Sequence, residues 1–299
     1  MIMNRIKHYV IFRLIPDSFF LRIQYWRVFK KNLNLSNPKS INEKIQWLKI
    51  NDRKDINTIV SDKLKVRNYV RSKGLEELLV PLISEFNVDR VLTKADLPLY
   101  PCIIKLNNDS GSTFICRDRE AIDLDEVNHR IMLRKKNNHY YQTKEWQYKN
   151  IEPKIIVEKL LIDAEGKIPC DYKVHCFNGI AKFISIDFDR FEGHKKIYLN
   201  RDGEILDFHW GPKVKGKFTI GSANKDKCKL PEQFVKFFEY ADTLSSEFIY
   251  CRVDFYLVDK KIYFGEITLH NGSGFSQFEP NCFDDKIGGY LNLPIDDNY

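Results

Sequence analysis

Residues 171–177 and 180–188 are two β-prone runs separated only by Asn178-Gly179. Asn-Gly is the strongest short-range hairpin signal, because a two-residue turn with positive φ at both positions matches the twist of the strands it joins. A second pair of runs, 251–258 and 261–267, flanks Asp259-Lys260-Lys261. Strands joined this tightly run antiparallel, so the chain is not a series of βαβ units. Further strands are expected near 78–86, 101–106, 114–116 and 155–161. Helical patterns lie between them. Residues 40–50 begin at Ser40 with Glu43 three residues on, a capping box. Residues 61–73 read as one helix, with Ser61 as cap, Asp62 in the first turn and Gly74 as terminator. Residues 121–136, 231–249 and 284–294 complete the helical set. Together these patterns predict an α+β fold built on antiparallel sheets.

Composition narrows the class. Of 299 residues, 43% are hydrophobic and 30% charged, the balance of a globular chain with a sizeable core. The seven cysteines are scattered, and none has CxxC spacing, so neither a zinc ribbon nor a disulfide framework is indicated. They read as reduced thiols of a cytoplasmic protein. The net charge is +7, and residues 1–31 hold seven basic side chains against Asp17 alone, which accounts for +6 of it. Nucleic-acid binders usually spread basic residues over a reading surface, so a nucleic-acid partner is not expected. Arg13 and Asp17 interrupt the apolar residues of this end too early for a membrane span, and it lacks the cleavage site of a secretory signal. Two readings stay open. In one, a basic amphipathic stretch touches an anionic membrane face. In the other, short helices pack on the core and their basic faces are solvated.

Three places carry candidate chemistry. If Asp254 pairs with Glu266 around a three-residue loop at 259–261, both carboxylates leave one face of the hairpin side by side. Like charges so placed repel, and a hard divalent cation such as magnesium would relieve the repulsion. Arg252 has the parity of Asp254 and would point the same way, towards phosphate or a developing oxyanion. A surface hairpin with solvated charges is the other reading. Lys105 ends a short apolar strand before the polar turn 107–113, which could cradle phosphate or be a plain turn. Glu158 lies within the apolar run 155–161 and needs a donor. An adenine amino group, or a local partner such as Lys159, would serve.

Taken in order, these stretches resemble the ATP-grasp superfamily, and within it the teichuronopeptide-biosynthesis (TupA)-like amidoligase family of bacterial surface-polysaccharide gene sets. The resemblance rests on Ile41-Asn42-Glu43-Lys44-Ile45-Gln46-Trp47-Leu48, Asp62-Lys63 with Arg67, Lys105-Leu106-Asn107 with Ser110-Gly111, and Glu145-Trp146-Gln147-Tyr148. It continues through Asp171-Tyr172-Lys173, Phe177-Asn178-Gly179, Asp187, Arg252-Val253-Asp254, Gly265-Glu266 with Thr268, Gly272-Ser273-Gly274-Phe275 and Asp285-Lys286. It covers roughly residues 36–295 and implies an ATP-grasp fold, two α+β lobes with antiparallel sheets that clasp ATP. Residues 1–60 would be a basic helical extension and residues 61–299 the ATP-grasp domain, with the adenine hinge near 155–163.

The roles implied are these. Lys63 and Lys105 match the lysines that bind ATP phosphates, and the turn 109–112, with Ser110 and Gly111, the loop that covers them. Glu158, with the backbone of Lys159 and Leu160, matches the adenine hinge, and Glu165 a ribose contact. Asp254 and Glu266 match magnesium ligands, and Arg252 and Lys173 take catalytic roles. Thr268 stands where many relatives have the asparagine of Glu-x-Asn, and Asn271 lies three residues further on, so either is the third ligand. The implied reaction is ATP-dependent amide formation through an acyl phosphate. It would join an amino acid or amine to an acidic or amino sugar of capsule or O-antigen, carried on a nucleotide or lipid-linked glycan, at the cytoplasmic face of the inner membrane. The basic stretch 189–196 is a candidate contact for that substrate. His175 reads as structural. A glycosyltransferase using Asp187-Phe188-Asp189 as a DxD motif, and a non-enzymatic scaffold using the basic N-terminus, are the competing functions.

Overall fold

The computed structural model describes residues 15–109, 111, 113–135, 137–188, 194–222 and 230–295. The chain forms two compact units, one of residues 54–169 and one that joins the N-terminal segment through Arg53 to residues 170–299. The larger unit opens with helices α1 (Asp17–Phe29) and α2 (Ile41–Asn51). The capping box of α2 is present as expected, with Ser40 accepting from the Glu43 N–H and Glu43 reaching back to the Ser40 N–H. Its Ile41, Ile45 and Leu48 are buried in the main aromatic core of this unit, beside Phe177, Phe183, Tyr198 and Trp210.

The smaller unit contains α3 (Asp55–Ser61), α4 (Val66–Ser72), β1 (Leu82–Asn87), β2 (Cys102–Leu106), β3 (Thr113–Cys116), α5 (Leu124–Arg134), α6 (His139–Thr143) and β4 (Lys154–Lys159). The helix expected over 61–73 is present only as α4, and Ser61, expected as its cap, belongs to the separate helix α3 before it. Ser61 ends α3, and the Asp62 carboxylate accepts from the N–H groups of Leu64 and Lys65, which turns the chain before α4. The four strands run in the order β1-β4-β2-β3. β4 is therefore interior, which suits its run of buried Ile155, Ile156 and Val157. Alternation sorts the faces. Cys102, Ile104 and Leu106 with Ile155 and Val157 turn to the core shared with Val127 and Ile131 of α5, and Lys105 and Glu158 turn to the other side.

The larger unit resumes with β5 (Asp171–Phe177), β6 (Ile180–Phe188), β7 (Lys195–Asn200), β8 (His209–Gly211), β9 (Lys213–Val214), β10 (Lys217–Phe218), β11 (Gly221–Ser222), α7 (Phe234–Ser245), β12 (Tyr250–Val258), β13 (Lys261–Thr268), β14 (Gln277–Glu279) and α8 (Phe283–Gly288). Six of these strands form a sheet in the order β11-β7-β6-β5-β12-β13, and all of its neighbours except β11 and β7 are antiparallel. Both expected hairpins are present. Asn178 and Gly179 have φ of 47° and 79°, and Asp259 and Lys260 have φ of 49° and 65°, the doubly positive pattern of a two-residue hairpin turn. The second loop is thus one residue shorter than anticipated. One face of the sheet packs on α7, where the Phe237 ring stacks on Tyr172 and lies near Phe255. The other face carries the polar residues described next.

Candidate functional site

The candidate residues fall into two clusters, one in each unit. In the larger unit Arg252 is the hub of the first. Its Nε and Nη2 donate to the two oxygens of Asp254, both at 2.7 Å, a bidentate pairing. Nη1 donates to Asn271 Oδ1 at 2.6 Å, and Nη2 reaches Thr268 Oγ1 at 3.2 Å and Glu266 Oε1 at 3.8 Å. Thr268 Oγ1 in turn lies 3.4 Å from Glu266 Oε1. Asp254 pairs directly with Glu266 across β12 and β13. Burial pushes the Asp254 carboxyl above its ordinary pKa, and the Arg252 guanidinium opposes the rise. Asp254 and its other charged neighbours keep Arg252 firmly protonated against the effect of burial.

Lys173 continues this row. It pairs with Asp254 across β5 and β12, and its Nζ lies 2.9 Å from Asp187 and 3.3 Å from Asp171. Lys196 Nζ is 3.4 Å from the second oxygen of Asp187. The two lysines hold the Asp187 carboxyl far below the usual range although burial acts against them. Lys196 belongs to the stretch 189–196 expected to contact substrate, but its pairing with Asp187 was not legible in the sequence, since it depends on the lateral order of β5, β6 and β7. The DxD partner Asp189 and the stretch 189–193 lie outside the described residues. His175, on the same face, stacks on Phe183 at 4.5 Å, and its Nδ1 is 3.1 Å from Tyr250 Oη. Burial and the nearby cations Arg252 and Lys196 hold it well below its ordinary pKa, so it is a neutral part of the core.

Asn271 begins a turn of uncommon backbone. Gly272, Ser273 and Gly274 have φ of 53°, 55° and 66°, three consecutive left-handed residues. A serine there is strained unless its surroundings fix it. Helix α2 supplies the fixing. Asn42, Gln46 and Lys49 follow one another at helical spacing, and all three bond the turn. Asn42 Nδ2 donates to the Ser276 carbonyl at 2.9 Å, and Gln46 Nε2 to those of Ser273 and Gly274 at 3.1 and 2.7 Å. Lys49 Nζ donates to Ser273 O at 2.6 Å and to its Oγ at 2.7 Å. A Cβ on Gly274 would fall 2.4 Å from Gln46 Nε2. The helix therefore braces the turn that delivers Asn271 to Arg252.

In the smaller unit Glu158 is shared by two cations. Its Oε1 accepts from Arg67 Nη1 at 3.2 Å and its Oε2 from Lys105 Nζ at 3.0 Å. Arg67 is fixed by a further bond to the Val80 carbonyl at 2.8 Å. The donors to Glu158 are thus Arg67 and Lys105, not its neighbour Lys159. The N–H groups of Lys159 and Leu160 are bonded to the carbonyls of Pro81 and Pro101. What these two residues retain for a planar base is their carbonyl oxygens and the apolar wall of Leu160. Lys63 Nζ donates to the Asp109 carbonyl at 2.6 Å, and the Asp109 carboxylate binds Arg134 at 3.2 Å, so the lysine lies at the turn 107–113. Gly111 there has φ of 106°, a conformation open to glycine. Ser110 lies outside the described residues. Glu165 sits in an exposed turn, paired with Lys167 at 2.8 Å.

The donor set suits magnesium. Asp254, Glu266 and Asn271 offer hard oxygens, and each carboxylate oxygen can accept more than the bond Arg252 uses. Among the described residues no three His, Cys, Asp or Glu side chains gather as a metal cage. Magnesium does not require one, since it usually takes one or two carboxylates and fills its shell with water and substrate phosphate. The described helices include none long and apolar enough to cross a membrane.

A sheet of antiparallel hairpins carrying Arg252, Asp254 and Glu266, and a second sheet carrying Lys105 and Glu158, define an ATP-grasp protein. The chain belongs to the TupA-like ATP-grasp family, which matches it over residues 43–292. None of the curated proteins matches it. Solved structures similar to it include the D-alanine–D-alanine ligase of Bacillus anthracis, at 16% identity and TM-score 0.39, over 71% of this chain and 57% of that one. The L-amino acid ligase of Bacillus licheniformis is similar at 16% identity and TM-score 0.40, over 86% and 53%. The D-alanine–D-alanine ligase of Helicobacter pylori is similar at 13% identity and TM-score 0.40, over 78% and 62%. The alignments span little more than half the length of each of these ligases.

Proposed function

We propose that the chain is an ATP-dependent carboxylate–amine ligase that forms an amide on a bacterial capsule or O-antigen sugar. The observation that carries this reading is the Arg252–Asp254–Glu266 constellation, with Asn271 fixing the guanidinium from its far side. A structural ion pair needs neither the second carboxylate opposite the first nor the braced turn that supplies Asn271.

The residues divide the work as follows. Lys63 and Lys105 bind the ATP phosphates, with Gly111 and Ser110 in the covering turn. The carbonyls of Lys159 and Leu160 receive the adenine amino group, and Glu165 the ribose. Arg67 and Lys105 share Glu158, so that carboxylate orients the Lys105 ammonium. Asp254, Glu266 and Asn271 would hold magnesium, which supplies charge neutralisation on the transferring phosphoryl group. A substrate carboxylate attacks the γ-phosphorus, the bond to the bridging oxygen of ADP breaks, and an acyl phosphate results. An amine then attacks the acyl carbon and phosphate leaves. Arg252 faces the charge that builds on the acyl oxygen, and Lys173 lies beside it on the same face. The substrate is an acidic or amino sugar on a nucleotide or lipid-linked glycan, and the co-substrate an amino acid or amine. The work is done in the cytoplasm.

Glycosyl transfer through a DxD motif is less well supported. The Asp187 carboxylate is shared by Lys173 and Lys196, its DxD partner Asp189 lies outside the described residues, and that reading leaves the Lys105–Glu158 pair without a role.

Binding of ATP, ADP and nucleotide sugars, each with and without magnesium, tests the reading. ATP should bind with a magnesium-dependent affinity that Lys105→Ala abolishes, and Glu266→Gln should lower ATP turnover by about a thousandfold. Binding of a nucleotide sugar by a protein with no affinity for ATP would sink it.

A further inference from the structure

Helix α1 is apolar on two opposite sides. Phe20, Leu21 and Tyr25 are buried with Leu33 in a small core of their own. On the other side Phe19, Ile23 and Trp26 succeed one another at i, i+4 and i+7 and are 57%, 41% and 53% exposed. At about 100° per residue the three fall within roughly 60° of arc. Arg22 borders that arc on one side, with its Nη1 donating to the Leu33 carbonyl at 2.8 Å and its remaining N–H groups left for a second acceptor, and Arg27 borders it on the other. Lys30 lies over the Trp26 ring at 4.7 Å and Lys31 follows it. The one acid of the helix, Asp17, is bound to Arg53 at 2.6 Å. Packing explains the buried side, but not three large apolar side chains in water on the other.

We infer that this face of α1 docks on an anionic phospholipid surface, with Phe19, Ile23 and Trp26 in the headgroup–acyl boundary and Arg22, Arg27, Lys30 and Lys31 on the phosphates. Charge complementarity selects this occupant. An apolar stripe containing Trp and Phe and bordered on both sides by cations is the composition of a helix lying in a membrane interface. Residues 1–14 add Arg5, Lys7 and Arg13 and no acid, so the sequence leading into the helix is basic too. A second protein copy would bring the same positive charge against itself. The helix thus combines the two readings of the N-terminal sequence, packed by one side and lipid-facing by the other. The inference does not depend on the ligase reading.

Co-sedimentation of the full chain with vesicles tests it. Vesicles of phosphatidylcholine with about one-third phosphatidylglycerol should bind the protein, and phosphatidylcholine alone should bind it far less. Raising salt from about 0.1 to about 1 M, which shortens the screening length from about 10 to about 3 Å, should release it. The triple variant Phe19→Ser, Ile23→Ser, Trp26→Ser should bind at least about tenfold more weakly. Arg27→Gln and Lys31→Gln should each cost about fivefold. Unfolding midpoints should match the parent, because none of these side chains lies in the core. Parent-like vesicle binding by the triple variant would overturn the inference. So would failure of the full chain to bind the anionic vesicles. A dimer in sedimentation velocity that the triple variant loses while vesicle binding is unchanged would assign the face to a second copy and overturn it as well.

Discussion

Asp254 stands opposite Glu266 because Gly265 is an extra residue in β13. The turn at Asp259-Lys260 sets Val258 against Lys261, and this register continues to Phe255 against Phe264. Carried one step further it would set Asp254 against Gly265 and send Glu266 to the opposite face of the sheet. The register instead shifts between Asp254 and Phe255. A one-residue bulge inverts the parity of everything beyond it, and here it returns Glu266 to the side of Arg252, Asp254 and Thr268.

Gly265 is the sensitive point of that device. A Cβ there would lie 3.0 Å from the Asp254 carbonyl oxygen and 3.1 Å from Tyr256 Cε2. Gly265→Ala should lower stability by about 1–3 kcal/mol. Titration calorimetry should show magnesium-dependent ATP affinity falling more than tenfold, with magnesium-free binding affected much less. Equal losses with and without magnesium would detach the bulge from the metal.

Glu158 should be costlier to remove than Lys105. Glu158→Ala leaves Arg67 buried without its counter-ion, and breaking a buried pair from one side costs about 3–5 kcal/mol. Lys105→Met leaves the Arg67–Glu158 pair standing, and Lys105 is the more exposed member. Denaturant unfolding should place Glu158→Ala well below Lys105→Met, while ATP affinity should fall in both.

The brace on the 271–274 turn predicts a remote effect. Lys49→Met removes two hydrogen bonds to Ser273 without touching Arg252. It should cost about 1–3 kcal/mol of stability, and ATP turnover should drop more than ATP affinity, because the loss falls on the placement of Asn271. Lys49→Arg, which retains donors, should restore part of the turnover.

His175 predicts an acid-side loss of stability. Burial holds its folded-state pKa well below the ordinary value of about 6.5. Below pH 6.5 the unfolded chain therefore takes up a proton that the folded chain refuses, and stability falls as pH falls, by about 1.4 kcal/mol per unit. The double variant His175→Phe, Tyr250→Phe removes both members of the buried hydrogen bond. It should flatten the dependence of the unfolding midpoint between pH 6.5 and the acid range where carboxylates titrate. An unchanged slope would place the titrating group elsewhere.

Local sequence signals determined a good part of this molecule. The Asn178-Gly179 turn, the Ser40–Glu43 box, the antiparallel hairpins and the parity of Arg252 with Asp254 all involve residues within a few positions of one another, where backbone propensity and alternation suffice. The pairing of Asp254 with Glu266 was legible too, although the tertiary structure reaches it by a shorter loop and a bulge in place of a three-residue loop. The break at Ser61–Lys65 was not legible, because the Asp62 side chain bonds the Leu64 and Lys65 N–H groups in a turn instead of sitting in the first turn of a longer helix. Nor were the partners of Glu158, which come from Arg67, 91 residues earlier, and Lys105, 53 residues earlier. The same holds for the lysines around Asp187, the grip of α2 on a turn some 225 residues further along, and the sidedness of α1. Each of these depends on which strands lie side by side and which helix face meets the core. Periodicity fixes the pattern of a face, but only packing decides what that face meets.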